Sequence, residues 1–150
     1  MNNLKTIIFD YGRVLFDREN DQFFPETETV LKHLVNKYTL TIASLAKNDS
    51  PKAREQQLEN AGLKKYFTII KFTATNKDEL YEKTFEELNL KPEETLIVDD
   101  RTIRGIKWGN KKGCKTIWVK CGKFENDPID EETGTPNHII KNIGGLTSLI

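Results

Sequence analysis

The sequence predicts a three-layer α/β domain, in which a mostly parallel sheet lies between two layers of helices. Short apolar runs alternate along the chain with amphipathic stretches of helical length, a pattern typical of βαβ units with right-handed crossovers. Some runs are apolar throughout, such as residues 96–98 (Leu-Ile-Val), which favours strands buried on both faces. A length of 150 residues suits one domain, so we expect residues 1–150 to form a single core domain.

The strands are predicted where β-branched and aromatic residues cluster between turn signals. The first of them, Leu4–Asp10, stops abruptly at the turn signal Tyr11-Gly12, and another, Thr95–Asp99, ends in two adjacent acids. Such boundaries are typical of strands that end at a functional edge of a sheet. The remaining strands are predicted at Tyr38–Ser44, Tyr66–Thr73, Cys114–Lys120 and Asn137–Ile140.

The helices are predicted from apolar side chains that recur at helical spacing. Ser50-Pro51 is an N-cap followed by a proline in the first turn, and Gly62 stands where a left-handed C-cap is expected. Helices are predicted at residues 26–37, 50–62, 77–89 and 102–112, with a short helical stub at Leu146–Ile150.

Two segments are predicted as loops. Residues 16–26 are polar around Phe16, Phe23, Phe24 and Pro25, and these aromatic side chains would either form a partial lid or pack against the domain. Residues 125–136 hold five acids, two prolines and no basic residue, which indicates a solvated loop rather than an interaction site.

The composition excludes several classes of protein. Lys and Arg together number 23, as do Asp and Glu, so no overall charge attracts nucleic acid or an anionic bilayer. No apolar run exceeds three residues, whereas a membrane span needs about 20 and a secretory signal about 7–15. Cys114 and Cys121 with two histidines do not show zinc-ligand spacing. We therefore expect a cytoplasmic protein with reduced thiols, whose chemistry uses carboxylates, lysine and hydroxyls.

Polar residues follow three of the predicted strands. Asp10, Ser44 and the pair Asp99-Asp100 each stand where an apolar strand ends, and the carboxyl ends of parallel strands meet at one edge of a sheet. Each residue alone also has a structural interpretation, as a turn former or a helix cap. Lys77 begins a predicted helix, where a cation is mildly unfavourable, although it would also suit an exposed surface.

Taken together, these residues indicate phosphoryl chemistry. Adjacent carboxylates repel each other unless a cation is near, and Mg²⁺ binds one or two carboxylates together with substrate phosphate oxygens. A phosphoryl group would then lie between Mg²⁺ and Lys77, with Ser44 donating a hydrogen bond. An ionised Asp10 would attack the phosphorus to form an aspartyl-phosphate.

The order of these segments resembles the haloacid dehalogenase (HAD) superfamily of Mg²⁺-dependent phosphohydrolases. The resemblance spans roughly residues 4–150, and it implies a Rossmann-like, HAD-type sandwich. Its four motifs match residues 7–17 (IIFDYGRVLFD), residues 42–44 (IAS), Lys77, and residues 96–101 (LIVDDR).

The resemblance also implies a role for each site residue. Asp10 would be the nucleophile and a metal ligand, and Gly12 would offer its backbone carbonyl to the metal. Ser44 and Lys77 would bind the phosphate together with the backbone at Tyr11 and Gly12. Asp100 would complete the Mg²⁺ site. Asp99 occupies a position often held by glycine, so which acid of the pair binds the metal more directly stays open.

Two positions depart from the family pattern. The residue two after the nucleophile is usually the acid that protonates the leaving group, and here it is Gly12. The acid that commonly follows the fourth motif by four or five residues is replaced by Arg104 and Gly105. A general acid contributes about 10²–10⁴ in rate. The alternative to a phosphatase is therefore a catalytically weak or inactive HAD-fold binding or regulatory protein.

The short segments between the motifs predict that no sizeable cap domain is present. Asp10 and Ser44 are separated by one loop and one helix, and Ser44 and Lys77 by one helix and one strand. An open site suits a bulky or macromolecular phosphorylated substrate, or an oligomer in which a neighbouring subunit supplies the cap. Two other interpretations are weaker. Dehalogenation of a small haloacid normally needs a cap. A receiver domain of a response regulator needs a carboxylate pair on the first strand.

Overall fold

A computed structural model describes residues 1–47 and 51–150 of the chain, and its centre is a parallel sheet. Within the described residues, six strands form this sheet in the order β5-β4-β1-β6-β7-β8, and β2 pairs with β3 in a separate antiparallel hairpin. The predicted three-layer α/β fold with a mostly parallel sheet is confirmed. In chain order, the strands are β1 (Thr6–Phe9), β2 (Phe16–Asp17), β3 (Gln22–Phe23), β4 (Thr39–Leu45), β5 (Ile69–Thr73), β6 (Thr95–Asp99), β7 (Lys115–Val119) and β8 (His138–Ile140).

Helices cover both faces of the sheet, and their ends follow local sequence signals. The side chain of Asn76 accepts a hydrogen bond from the Glu79 backbone at the start of the helix that begins at Lys77. The helix ends at Asn89, which adopts a left-handed conformation with φ 51°. The α-helices of the described chain are α1 (Thr27–Leu34), α2 (Pro51–Asn60), α3 (Lys77–Leu88) and α4 (Lys107–Lys112).

The core has two parts, one on each face of the sheet. Along β1, Ile7 and Phe9 point to one side, where they pack with residues of α1 and with Leu58 of α2. Ile8 points to the other side, towards Leu80, Tyr81 and Phe85 of α3 and Trp108 of α4. Since successive side chains of a strand alternate between faces, a strand that is apolar at every position supplies both parts of the core.

The structure differs from the sequence-based expectation in several segments. The predicted loop 16–26 contains the β2–β3 hairpin, and Phe16 is buried against the ring of Tyr11 instead of forming a lid. The helix predicted over 102–112 begins with a π-helical turn, Thr102–Ile106, before α4. The stub predicted at 146–150 is a 3₁₀-helix over Ile143–Ser148. The predicted N-cap Ser50 lies outside the described residues.

The strand register brings the polar residues to one edge of the sheet. Phe9 of β1 is aligned with Ile42 of β4 on one side and with Val98 of β6 on the other. The residues that follow these positions therefore lie side by side at the carboxyl ends of three adjacent strands. In the part of the chain that the structure describes, no helix has the length and apolar character that crossing a membrane requires.

Candidate active site

Asp10 and Ser44 form the centre of the site. Ser44 Oγ donates a hydrogen bond to Asp10 Oδ1 at 2.6 Å, and the Tyr11 backbone N–H lies 3.3 Å from the same hydroxyl. Both side chains are buried. Burial opposes ionisation of Asp10, but the Lys77 charge and the hydrogen bonds from Asp100 and Ser44 hold its pKa below the ordinary value. Asp10 is therefore a carboxylate at neutral pH, as a nucleophile must be.

Lys77 joins two of the acids. Its Nζ lies 3.1 Å from Asp10 Oδ1 and 2.5 Å from Asp99 Oδ2, and its side chain is buried at the start of α3. Burial alone would favour the neutral amine, but the charges of Asp10 and Asp99 raise the lysine pKa well above its usual range. The site thus holds a permanent cation beside Asp10.

Asp99 is saturated by protein donors. Its Oδ2 accepts hydrogen bonds from Lys77 Nζ, from the Tyr81 hydroxyl at 3.2 Å and from the Gly105 backbone at 3.1 Å. Its Oδ1 accepts a hydrogen bond from the Arg101 backbone at 2.9 Å. Four donors on its two oxygens leave this carboxylate little capacity to bind a metal. Its ion-pair partner is Lys77.

Asp100 has a different environment. It is buried, and its pKa is raised well above the ordinary value, first by burial and then by the charges of Asp10 and Asp99. One carboxylate oxygen from each of Asp10, Asp99 and Asp100 lies within 4.8 Å of the others. Arg13 Nη1 is the described cation nearest to Asp100, at 4.0 Å from its Oδ2. Three clustered acids beside one buried lysine leave negative charge that a divalent cation would balance.

Gly12 and Tyr11 contribute backbone only. A Cβ at Gly12 would meet Arg18 Cγ and Cδ at 3.5 Å, which is ordinary contact, so the position has room for a small side chain. The Tyr11 ring is buried against Phe16 and Phe72, and its hydroxyl donates to Gln57. Gly12 has no side chain and the Tyr11 side chain packs into the core, so only the backbone at these two positions is available to a ligand.

Sequence reasoning missed Tyr81 and Arg54. The Tyr81 ring stacks on Trp108 with centroids 4.7 Å apart, and its hydroxyl reaches Asp99. The spacing Lys77–Tyr81, one helical turn, was a signal that would have placed both on one face of α3. Arg54 Nη1 donates to Ser44 Oγ at 3.3 Å and to the Leu45 carbonyl at 2.7 Å. Leu58 is the one large apolar side chain of its helix, so no amphipathic pattern marked Arg54 as buried.

The predicted solvated loop 125–136 is tied to the site. Asp127 accepts hydrogen bonds from Arg101 Nε at 2.8 Å and from the Thr102 backbone at 3.2 Å. The Pro128 carbonyl accepts a further bond from Thr102 Oγ1. Most of this segment is exposed, as predicted for a solvated loop, but Asp127 and Pro128 also hold the residues that follow the Asp99-Asp100 pair.

The site opens into a cavity of about 240 Å³ at the carboxyl edge of the sheet. Asp10, Ser44, Lys77 and Asp100 line its floor. Among the described residues that line it, eight are Lys or Arg and two are Asp. The chain as a whole has equal numbers of acidic and basic residues, so positive charge is concentrated here.

The structure places acids, a hydroxyl and a lysine together at one edge of a parallel sheet. Residues 1–119 match the family model described as haloacid dehalogenase-like hydrolase. Because this match covers most of the chain, the protein belongs to that family, and the resemblance inferred from the four motifs is confirmed.

Individual proteins are similar to a segment of this chain or to its fold. A 45-residue segment is 38% identical to glyceraldehyde 3-phosphate phosphatase of Pyrococcus furiosus, and it covers 30% of this chain and 19% of that enzyme. A haloacid dehalogenase-like family hydrolase of Streptococcus pneumoniae superposes with a TM-score of 0.80 at 14% identity, covering 99% of both chains. L-2-haloacid dehalogenase of Xanthobacter autotrophicus, with chloropropionic acid covalently bound, gives a TM-score of 0.77 at 12% identity, over 97% of this chain and 98% of that one. The two structural likenesses show the fold alone.

Proposed function

We propose that this hydrolase is an Mg²⁺-dependent phosphatase that acts through an aspartyl-phosphate on Asp10. The observation that carries the proposal is the grouping of Asp10, Ser44 and Lys77 within hydrogen-bonding distance beside a buried Asp100. Negative charge that develops on the phosphoryl oxygens during transfer would meet oppositely charged or hydrogen-bonding groups that are already in position.

The acids fit a hard divalent cation. Mg²⁺ takes oxygen ligands and is commonly held by one or two carboxylates together with substrate phosphate oxygens. Asp10 and Asp100 would hold it, together with the Gly12 backbone carbonyl, whereas Asp99 is better suited to hold Lys77 because protein donors saturate its oxygens. When bound, the metal would neutralise charge on the phosphoryl oxygens.

Asp10 would act as the nucleophile. Its carboxylate forms a bond to phosphorus while the phosphorus–oxygen bond of the ester breaks. Lys77 would neutralise a phosphoryl oxygen, and Ser44 would turn its hydrogen bond from Asp10 to the phosphate. The leaving alkoxide would take its proton from water in the open cavity, because residue 12 offers no acid. Water would then attack the phosphorus, release inorganic phosphate and restore the Asp10 carboxylate.

The second candidate function is a HAD-fold binding or regulatory protein with little or no turnover. The observation that favours it is Gly12, since the structure places no acidic side chain at this position. Dehalogenation is less well supported, because the clustered acids Asp99 and Asp100 beside Lys77 suit a metal and a phosphate.

Substrate access follows from the same geometry. We propose that residues 1–150 act as one core domain without a cap, since the segment between Asp10 and Ser44 forms only the β2–β3 hairpin, α1 and the start of β4. A cavity of about 240 Å³ holds the phosphoryl end of a substrate. A larger, even macromolecular, substrate would extend beyond its mouth, or a second subunit would cover it. A cytoplasmic location is part of the same proposal.

The decisive experiment is phosphate release from p-nitrophenyl phosphate with Mg²⁺ and with EDTA. We expect turnover that needs the metal and disappears in Asp10→Asn, which keeps the shape of the side chain. Lys111→Gln, a charge change on the exposed side of α4, is the matched control and should retain full activity. A folded wild-type protein that binds phosphate but releases none from any ester would favour the binding function.

A further inference from the structure

The outer wall of the cavity carries more positive charge than one phosphoryl group requires. Lys77 and the proposed metal already serve the group that reacts at Asp10. Further out, Arg13, Arg101, Arg104 and Lys123 line the same cavity. Among the described residues, the acids that pair with these four cations outside the catalytic centre are Glu19 and Asp127, so the wall keeps an excess of positive charge.

The ring of Phe124 organises this wall. The guanidinium of Arg101 lies 3.6 Å from the ring centroid and that of Arg13 lies 5.0 Å from it, while Lys123 Nζ is at 5.4 Å. Arginine stacked on an aromatic ring loses much of its rotational freedom and presents a fixed fork of donors. Three cations are therefore gathered around one ring at the cavity mouth.

Hydrogen bonds fix the two arginines further. Asp127 binds Arg101 through Nε only, and within the described residues neither Nη group of Arg101 has a hydrogen-bond partner. Arg13 is bound through Nε to the half-exposed Glu19, an ion pair that contributes little in water. The Nη groups of Arg101 and Nη2 of Arg13 thus stay available to a ligand, whereas Arg13 Nη1 faces Asp100.

Arg13 has a backbone conformation that is rare for residues other than glycine. Its φ is 61°, in the left-handed region that costs about 1–2 kcal/mol for a residue with a Cβ. Strain of this kind is retained mostly at functional positions. The conformation brings Nη1 to 4.0 Å from Asp100 Oδ2, so Arg13 connects the catalytic floor with the outer wall.

We propose that Arg13, Arg101, Arg104 and Lys123 around Phe124 form a second anion subsite, which recognises a phosphate or carboxylate on the leaving group. The substrate class is a phosphate ester that carries another anionic group, and this inference rests on the proposed phosphatase function. Arginine forks bind phosphate and carboxylate in two-point contacts, so either anion suits the subsite.

Matched substrate pairs test the proposal by activity. With Mg²⁺ at constant ionic strength, kcat/KM is compared for glycerol 3-phosphate against 3-phosphoglycerate, and for fructose 6-phosphate against fructose 1,6-bisphosphate. We expect the member with the second anion to be preferred by at least about tenfold in one pair or both, and the pair that shows it identifies carboxylate or phosphate. No preference in either pair overturns the proposal.

Variants distinguish a specific anion subsite from a general attraction of anions to the positively charged cavity. The double variant Arg104→Gln, Lys123→Gln should reduce the preference about tenfold while changing kcat/KM for the single-anion substrate less than threefold. Lys111→Gln should keep the preference. Since Lys123 is exposed and Arg104 partly so, the double variant is expected to fold, and equal losses on both members of a pair would contradict the subsite.

Binding tests the subsite without catalysis. In Asp10→Asn with EDTA, pyrophosphate and orthophosphate are titrated by calorimetry at constant ionic strength, because salt screens such contacts. We expect pyrophosphate to bind at least about tenfold tighter, and Arg13→Gln to remove most of that ratio while Lys111→Gln preserves it. A ratio that Arg13→Gln leaves unchanged overturns the inference. A preserved ratio with no hydrolysis would refute the phosphatase function alone.

Discussion

Gly105 has no side chain because Asp99 occupies the space that one would need. A Cβ at Gly105 would overlap with Asp99 Oδ2 and would lie 2.5 Å from the Tyr81 hydroxyl. The Gly105 backbone N–H instead donates to Asp99 at 3.1 Å, within the π-helical turn Thr102–Ile106. The close approach of the Gly105 backbone thus holds Asp99, and Asp99 in turn binds Lys77.

Gly105→Ala should therefore impair both stability and activity. Overpacking of a buried position costs about 1–3 kcal/mol, and the displaced Asp99 would move Lys77 away from Asp10. We expect the free energy of unfolding in urea to fall by about 2 kcal/mol and kcat/KM for p-nitrophenyl phosphate to fall more than tenfold. Gly62→Ala is the control. An alanine is strained at the φ of 71° that Gly62 adopts, but nothing lies within 4 Å of the added Cβ. That variant should lose stability without losing activity, and a fully active Gly105→Ala would refute the role given to the Asp99 contact.

Asp100→Asn should stabilise the metal-free protein and abolish its response to Mg²⁺. Asp100 is buried among Asp10 and Asp99, so the amide removes charge repulsion while it can still donate to Asp10. In EDTA at pH 8 we expect a gain of about 1–2 kcal/mol in unfolding free energy, within the range of single buried substitutions. The wild type should show a higher Tm with Mg²⁺, and the variant should show none of this increase. A Tm increase of equal size in both proteins would place the metal elsewhere.

The pH dependence of stability follows from the raised pKa of Asp100. In the folded, metal-free protein this carboxyl keeps its proton above pH 4, where the unfolded chain, at the ordinary value of 3.8, releases it. The native state then binds more protons, so stability falls as pH rises, by at most about 1.4 kcal/mol per pH unit for one group. The lowered pKa of Asp10 acts in the opposite sense at lower pH, so the difference between wild type and Asp100→Asn is the quantity to measure. With EDTA, the advantage of the variant should grow as the pH rises above about 4 until the native carboxyl ionises, and a difference that stays constant throughout would contradict the raised pKa.

The fold and the position of the site were predictable because both follow from simple periodic patterns. Strands that are apolar at every position require helices on both faces, and parallel strands bring their carboxyl ends together. Asp10, Ser44 and Asp99-Asp100 were visible as polar residues at the ends of such strands. Their proposed chemical roles stay predictions.

The parts that the sequence did not reveal depend on packing in three dimensions. Which acid of the pair 99–100 is saturated by donors follows from the π-helical turn, whose backbone path no local pattern marks. Arg54 lies in a helix without an apolar face, yet it is buried against Ser44. The acidic segment 125–136 was interpreted from composition alone, whereas one of its acids, Asp127, binds Arg101 across a long stretch of chain.

Gly12→Asp should increase the turnover of substrates with poor leaving groups. The position has space, since a Cβ would meet only the Arg18 side chain at ordinary contact distance. A carboxyl there would supply the proton that the proposed mechanism takes from water. General acid catalysis contributes about 10²–10⁴ in rate, so we expect kcat for glycerol 3-phosphate to rise about 10²-fold. For p-nitrophenyl phosphate, whose leaving group needs no proton, the change should stay within threefold. Gly12→Asn, which has the same shape without the acid, should leave both rates near the wild-type values. Equal gains on the two substrates, or a gain in Gly12→Asn, would show that the effect is steric. The lack of a general acid at residue 12 would then not limit the rate of turnover.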